Sequence, residues 1–294
     1  MGGSERMSAA RRWRVAALVV LGGLAAVYLT AVGVLFAMQR GMLYHPLSGS
    51  APNADGPPIQ VVRIDTADGE HLVGWWLPPQ AGKPTILFFN GNASTLSIQE
   101  GRWRRIADEG VGFLSVAYRG YDGSTGTPSE KGLTEDARAA YGWLTRRVPA
   151  SDIVIHGFSL GSGVATRLAT ERPARALILE APYTSTADVA ARVAPWAPVR
   201  LLMLDQYRSK DRIGQVRMPL LIVHGDADGV VPFTQGQALF KLARSPKTFV
   251  RMVGSDHNTL TRDGEYDHIW RFLGLPLAGS TAHGPPVRAV VSVE

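Results

Sequence analysis

Apolar and polar positions divide the chain into three regimes. Residues 15–38, VAALVVLGGLAAVYLTAVGVLFAM, carry no charge. A helix of that length spans about 36 Å at roughly 1.5 Å per residue, enough to cross a hydrocarbon core of about 30 Å with some tilt. Residues 39–58 lose the pattern and are rich in Pro, Gly and Ser, which reads as a tether. From residue 59 short apolar runs alternate with helical stretches. Runs at 59–66 and 71–77, separated by Asp68-Gly69, give a hairpin signal. Strand-like runs follow at 85–89, 111–118, 153–156, 176–179, 219–224 and 248–253. Helical stretches fall at 97–109, 134–147, 161–170, 234–243 and 263–273.

Continuous apolar strands between amphipathic helices predict an α/β fold. The expected architecture over residues 59–275 is a mostly parallel eight-stranded sheet flanked by helices and opened by an antiparallel hairpin. Residues 183–213 are the one insertion large enough to act as a short lid. Residues 276–294 carry no periodic pattern and are expected to form a disordered tail. In such a sheet ligands bind beyond the carboxyl ends of the strands, so the loops there should carry the chemistry.

Charge adds an orientation. Arg6, Arg11, Arg12 and Arg14 stand in residues 1–14 against Glu5 alone, and Arg40 follows the apolar segment. The positive-inside rule places residues 1–14 in the cytoplasm and the rest on the other side, which in a bacterium is the periplasm or exterior. A cleaved signal peptide is the alternative. Its apolar core runs about 7–15 residues, shorter than this one, so a retained single-pass anchor is expected. The formal charge of +6 comes partly from that basic N-terminus. No Lys/Arg block with interleaved aromatics follows, so nucleic acid is not an expected partner. The chain has no cysteine, which excludes disulfides, thiolate metal sites and cysteine nucleophiles. No metal constellation, phosphate loop or dinucleotide fingerprint is visible, and no metal or cofactor is expected.

Candidate chemistry begins at Gly157-Phe158-Ser159-Leu160-Gly161, between a buried strand and a helix. A reversal this sharp forces its central residue into a strained conformation, and side chains two positions to either side would collide. Ser159 is the candidate nucleophile, lifted clear of the sheet at a helix N-terminus. A serine hydroxyl needs a base, and the base an orienting acid, on later strand-end loops. The loop HGDADGVVP offers Asp226 and Asp228. Asp228, deeper in the loop, is better placed to turn back toward the serine, with Asp226 as a turn residue; Glu180 is a third candidate. Of seven histidines, His257 in GSDHNTL occupies the loop after the final strand of the alternating series. It is the candidate base, with the neighbouring Asp256 read as loop-forming. An oxyanion hole needs two amide donors. Leu160 N–H supplies one, and the loop FFNGNAST the other, through the backbone of Asn92.

These residues resemble the α/β-hydrolase superfamily, and more closely its membrane-anchored, bud-emergence-type branch. QRGMLYHP, FNGNAST, YRGYDGSTGTPSEKGLTEDARAAYGWL, GFSLGSGVA, EAPYTS, HGDADGVVPF and GSDHNTL follow one another as that branch's landmarks do, from about residue 39 to 273. The resemblance implies a serine hydrolase with nucleophile Ser159, acid Asp228 and base His257, some of whose relatives remove acyl groups from proteins and lipids. One departure stands out: relatives usually have His-Gly where this chain has Asn90-Gly91. The expected activity is hydrolysis of a carboxylic ester or thioester, with a small-molecule or acylated substrate. A peptidase of the same fold and a catalytically inert membrane scaffold are the alternatives. In the lid, Trp196, Leu201, Leu202, Met203 and Leu204 can serve as an acyl slot or a lipid-dipping surface, or can pack the lid on the core.

Overall fold

The computed structural model describes residues 9–53, 55–276 and 289–293. Helix α1, Ala9–Leu43, is long and apolar enough to cross a membrane. It outruns the uncharged stretch at both ends, because the Arg-rich and Gln-Arg flanks are themselves good helix formers. It stops at Leu43 where Pro46 biases His45 away from helical geometry. Residues 1–42 and 43–294 form two compact units.

In the second unit, strands β1 (Gln60–Asp65) and β2 (His71–Leu77) make the expected hairpin. Then β3 (Thr85–Phe89), α2 (Glu100–Asp108), β4 (Gly112–Val116), α3 (Glu130–Thr145), β5 (Ile153–Phe158), α4 (Leu160–Glu171) and β6 (Ala176–Glu180) alternate. Short helices α5 (Thr186–Val193) and α6 (Val199–Leu202) follow, then β7 (Leu220–Gly225), α7 (Phe233–Leu242), β8 (Lys247–Met252) and α8 (Glu265–Leu273). The sheet order is β1-β2-β4-β3-β5-β6-β7-β8, with β3 to β8 paired in parallel. Every residue of β3 to β7 is buried, as two helix-covered faces require.

Among the described residues a ninth strand joins the eight expected ones. In the segment expected to be a disordered tail, β9 (Ala289–Val293) pairs antiparallel with β8, from Thr248↔Val293 to Met252↔Ala289. A five-residue run has no period of its own to read; the open edge of β8 gives it a partner. Residues 277–288 and 294 of that tail lie outside the described residues.

Residues 44–50, read as tether, are stitched to the domain. Tyr44 is buried, and its hydroxyl lies 2.8 Å from that of Tyr207. Ser50 N–H donates to Ser97 Oγ at 3.2 Å, and Asp122 N–H to the Leu47 carbonyl at 3.1 Å.

Candidate active site

The loops after β3, β5, β7 and β8 meet at one rim of the sheet. The turn from β5 to α4 carries Ser159 at φ 51°, ψ −118°, outside the usual regions for a residue with a Cβ. Its flanking glycines are required by contact. A Cβ at Gly157 would lie 2.3 Å from the Gly161 carbonyl oxygen, and one at Gly161 would lie 2.1 Å from that of Phe89. The turn is pinned by Ser159 N–H donating to the Glu180 carbonyl at 3.0 Å.

His257 reaches Ser159 across 98 residues of chain. Its Nε2 lies 2.9 Å from Ser159 Oγ, and its Nδ1 lies 2.8 Å from Asp228 Oδ2. The imidazole is buried and packs against Phe158, ring centroids 5.1 Å apart. Asp228 Oδ1 accepts the amides of Val230 and Val231 at 2.8 and 2.7 Å, so the carboxylate is an acceptor on both oxygens. With Nδ1–H given to that carboxylate, Nε2 is left to accept the serine proton. Burial pushes the Asp228 carboxyl up, but hydrogen bonds from His224 and His257 outweigh it and hold the group well below the usual carboxylate range.

The other acidic candidates are placed elsewhere. Asp226 turns outward, bonding Arg251 Nε at 2.8 Å and Gly254 N–H at 2.7 Å. Asp256 accepts the Gly229 amide at 3.0 Å, as a loop-forming residue. Glu180 is fully buried beneath the turn and takes a bidentate bond from Arg102 of α2, at 2.6 and 2.8 Å.

Three features of this rim were missed in the sequence. The first is His224, near the end of β7. It is fully buried, with Nε2 3.2 Å from Asp228 Oδ2 and 3.0 Å from the Val231 carbonyl. A second imidazole thus backs the acid; the His-Gly-x-x-Asp spacing, which sets them four residues apart, was the available signal. The second is the cluster around Arg102. His156 Nε2 also lies against Glu180, Glu265 Oε1 lies 3.3 Å from Arg102, and Arg102 donates to the Tyr266 hydroxyl at 3.0 Å. Burial and the neighbouring Glu180 charge push the Glu265 carboxyl up, while Arg102 holds Glu180 down against the effect of burial. Two buried carboxyl groups shifted in opposite directions thus share one guanidinium. The third is His45, whose backbone and ring bond the Asn92 side chain; no periodicity connects residues 47 positions apart.

The loop after β3 lies against the serine. A Cβ at Gly91 would stand 2.9 Å from the Phe158 ring and 3.4 Å from Ser159 Cβ. Asn90 is buried; its Nδ2 donates to Ser115 Oγ at 3.0 Å and its carbonyl accepts the Tyr118 hydroxyl at 2.9 Å. Leu160 opens α4, where a helix leaves its first amides without intrahelical partners. A cleft of about 470 Å³ opens beside the imidazole, lined by His257, Phe158, Ile98, Leu260, Arg105 and Arg262 among others. The segment expected to form the lid leaves Val193, Trp196, Leu201 and Leu204 exposed.

A parallel sheet with a serine at the strained turn after β5 and an imidazole over it defines a serine hydrolase of the α/β-hydrolase fold. The chain belongs to the α/β-hydrolase family. Residues 80–211 match the family described as "Serine aminopeptidase, S33". An uncharacterized protein of Mycobacterium tuberculosis is 39% identical over 251 residues, covering 83% of this chain and 89% of that one. Lysophosphatidylserine lipase ABHD12 of Danio rerio is 33% identical over 192 residues, 58% of this chain and 50% of that protein. Among solved structures, a Pyrococcus furiosus esterase aligns over 79% of this chain and 98% of its own with a TM-score of 0.64 at 19% identity, a likeness of fold.

Proposed function

We propose that this chain is a membrane-anchored esterase that works through Ser159, His257 and Asp228 and an acyl-enzyme. The observation that carries the reading is the single imidazole that bonds Ser159 Oγ on one side and a buried carboxylate on the other. His257 takes the serine proton as Oγ attacks the acyl carbon. Asp228 keeps the ring in the required tautomer and stabilises the imidazolium. The backbone amides of Leu160 and Asn92 receive the oxyanion. His257 then protonates the leaving group, and a water repeats the cycle to free the acid.

The preferred substrate is an acyl ester or thioester of a lipid or a lipidated protein. The exposed apolar side chains of residues 193–204 suit an acyl chain or a bilayer surface, and α1 tethers the domain where such substrates concentrate. The basic cleft beside His257, with no acidic side chain in its lining, favours an anionic leaving group, and one relative is named a lysophosphatidylserine lipase. Single-chain acyl esters of phosphoglycerol compounds are therefore the first substrates to try. The basic N-terminus places residues 1–14 in the cytoplasm and the hydrolase domain on the opposite side.

A fluorophosphonate label tests the chemistry. Labelling should occur in the parent chain and vanish in Ser159→Ala; absence of labelling at every pH from about 6 to 9 overturns the reading. Asp228→Asn should lower kcat by about 10⁴, and Asp226→Asn should leave it nearly intact. A panel of p-nitrophenyl esters and acyl-thioesters tests the substrate: a preference beyond about eight carbons supports acyl lipids or proteins, and a sharp preference for acetate opposes them.

A further inference from the structure

His45 stands two residues beyond the end of α1. Its backbone N–H donates to Asn92 Oδ1 at 3.0 Å, and its ring Nδ1 lies 3.0 Å from Asn92 Nδ2. The hydroxyl of Tyr121, a buried residue, donates to the same Oδ1 at 3.0 Å and lies 3.2 Å from His45 N. These contacts fix the carboxamide without ambiguity. A backbone N–H only donates, so the atom facing it is the amide oxygen. The amide nitrogen then faces His45 Nδ1, which must accept. The same stretch of chain continues into Leu47 and Ser50, which bond Asp122 and Ser97. Asn92 is followed by Ala93 at φ 49°, a conformation that an unsupported alanine rarely holds.

We propose that His45 is a positioning residue for the oxyanion loop: by gripping the Asn92 side chain it aims the Asn92 backbone amide at the carbonyl oxygen of the substrate. The segment after the apolar helix is then part of the catalytic apparatus and not a spacer. The inference rests on the oxyanion role given to Asn92 above. The grip acts through the ring nitrogen, so an asparagine at position 45, whose Oδ1 occupies nearly the same place as imidazole Nδ1 and accepts as it does, should replace it.

The test uses the full chain in detergent and p-nitrophenyl esters of the preferred length. His45→Ala should lower kcat about tenfold with KM within about twofold, less than the 10²–10³ lost when an oxyanion donor is itself removed. His45→Asn should recover most of that loss. Asn92→Ala keeps its backbone amide but gives up the grip, so it should lower kcat to a similar extent. Combined with His45→Ala it should cause little further loss, since the two act through one contact. The ratio of oxoester to thionoester turnover reads the hole directly: it should fall in His45→Ala and return in His45→Asn. A general loosening of the fold would move KM or the melting temperature and leave that ratio alone. Unchanged kcat in His45→Ala, additive losses in the double variant, or an Asn replacement as damaged as Ala overturns the proposal. The esterase reading is scored separately by fluorophosphonate labelling of the parent at Ser159. Labelled parent with a silent His45→Ala sinks only the positioning role; unlabelled parent sinks both.

Discussion

Replacing Ser159 with glycine should make the protein more stable than replacing it with alanine. At φ 51°, ψ −118° the residue lies off the left-handed helical region, where ψ would be positive, in territory that glycine alone enters freely. Holding a Cβ there costs about 1–3 kcal/mol. Both substitutions remove Oγ and its bond to His257, so that loss cancels in the comparison. Glycine adds freedom to the unfolded chain, which returns about 0.5–1 kcal/mol of the gain. The net expectation is a Ser159→Gly protein more stable than Ser159→Ala by about 0.5–2 kcal/mol. For a domain of this size that is roughly 1–8 °C in Tm. The assay is thermal unfolding of both inactive variants in the same detergent, followed by a urea titration to show equal m-values. An alanine variant as stable as the glycine variant, or more so, would refute the claim that the turn is strained through its Cβ. It would leave the collisions at Gly157 and Gly161 as the sole reason for the motif.

Other consequences follow from the same rim. Asp228 is held well below the usual carboxylate range, so it stays ionised wherever the imidazole titrates and contributes its stability down to pH values below about 4. The acid limb of log kcat/KM against pH should therefore have a slope of one; a slope of two would show the carboxylate titrating alongside the imidazole. Arg102→Met should lower stability by about 3–5 kcal/mol in urea, because it strands the buried Glu180 carboxylate, and Arg102→Met with Glu180→Met together should restore most of it. A single variant with an unchanged urea midpoint would count against a charged cluster. Gly161→Ala drives a methyl to within 2.1 Å of the Phe89 carbonyl, at the root of the loop after β3. It should lower kcat at least about tenfold and stability by about 1–3 kcal/mol; full activity would mean that the loop yields freely.

The strands and helices were legible because burial on two faces and on one face leaves different periods in the chain. Residues 71–77 and 85–89 were read to the residue, and most other boundaries within a few positions. The strained serine turn was legible for a local reason: its two glycines answer collisions between atoms at most a few residues from Ser159 or on the adjacent strand. The order of serine, acid and base along the chain then narrowed the partners to single loops. What no local pattern could show was which polar atoms face one another across the sheet. Glu180 and Asp226 carry the same carboxyl group as Asp228, yet one is consumed by Arg102 beneath the turn and the other by Arg251 outside it. His224, His156 and His45 looked like incidental histidines until folding set them against Asp228, Glu180 and Asn92. β9 was invisible for the same reason, since an edge strand exists through the strand it joins. The amino-acid order by itself determined the elements, the apolar helix and the strained serine turn, because each arises from contacts between near neighbours. Only the tertiary structure decided which carboxylate and which imidazoles lie beside that serine turn and which piece of the tether meets Asn92, because those pairings depend on distances between atoms that the chain holds dozens of residues apart.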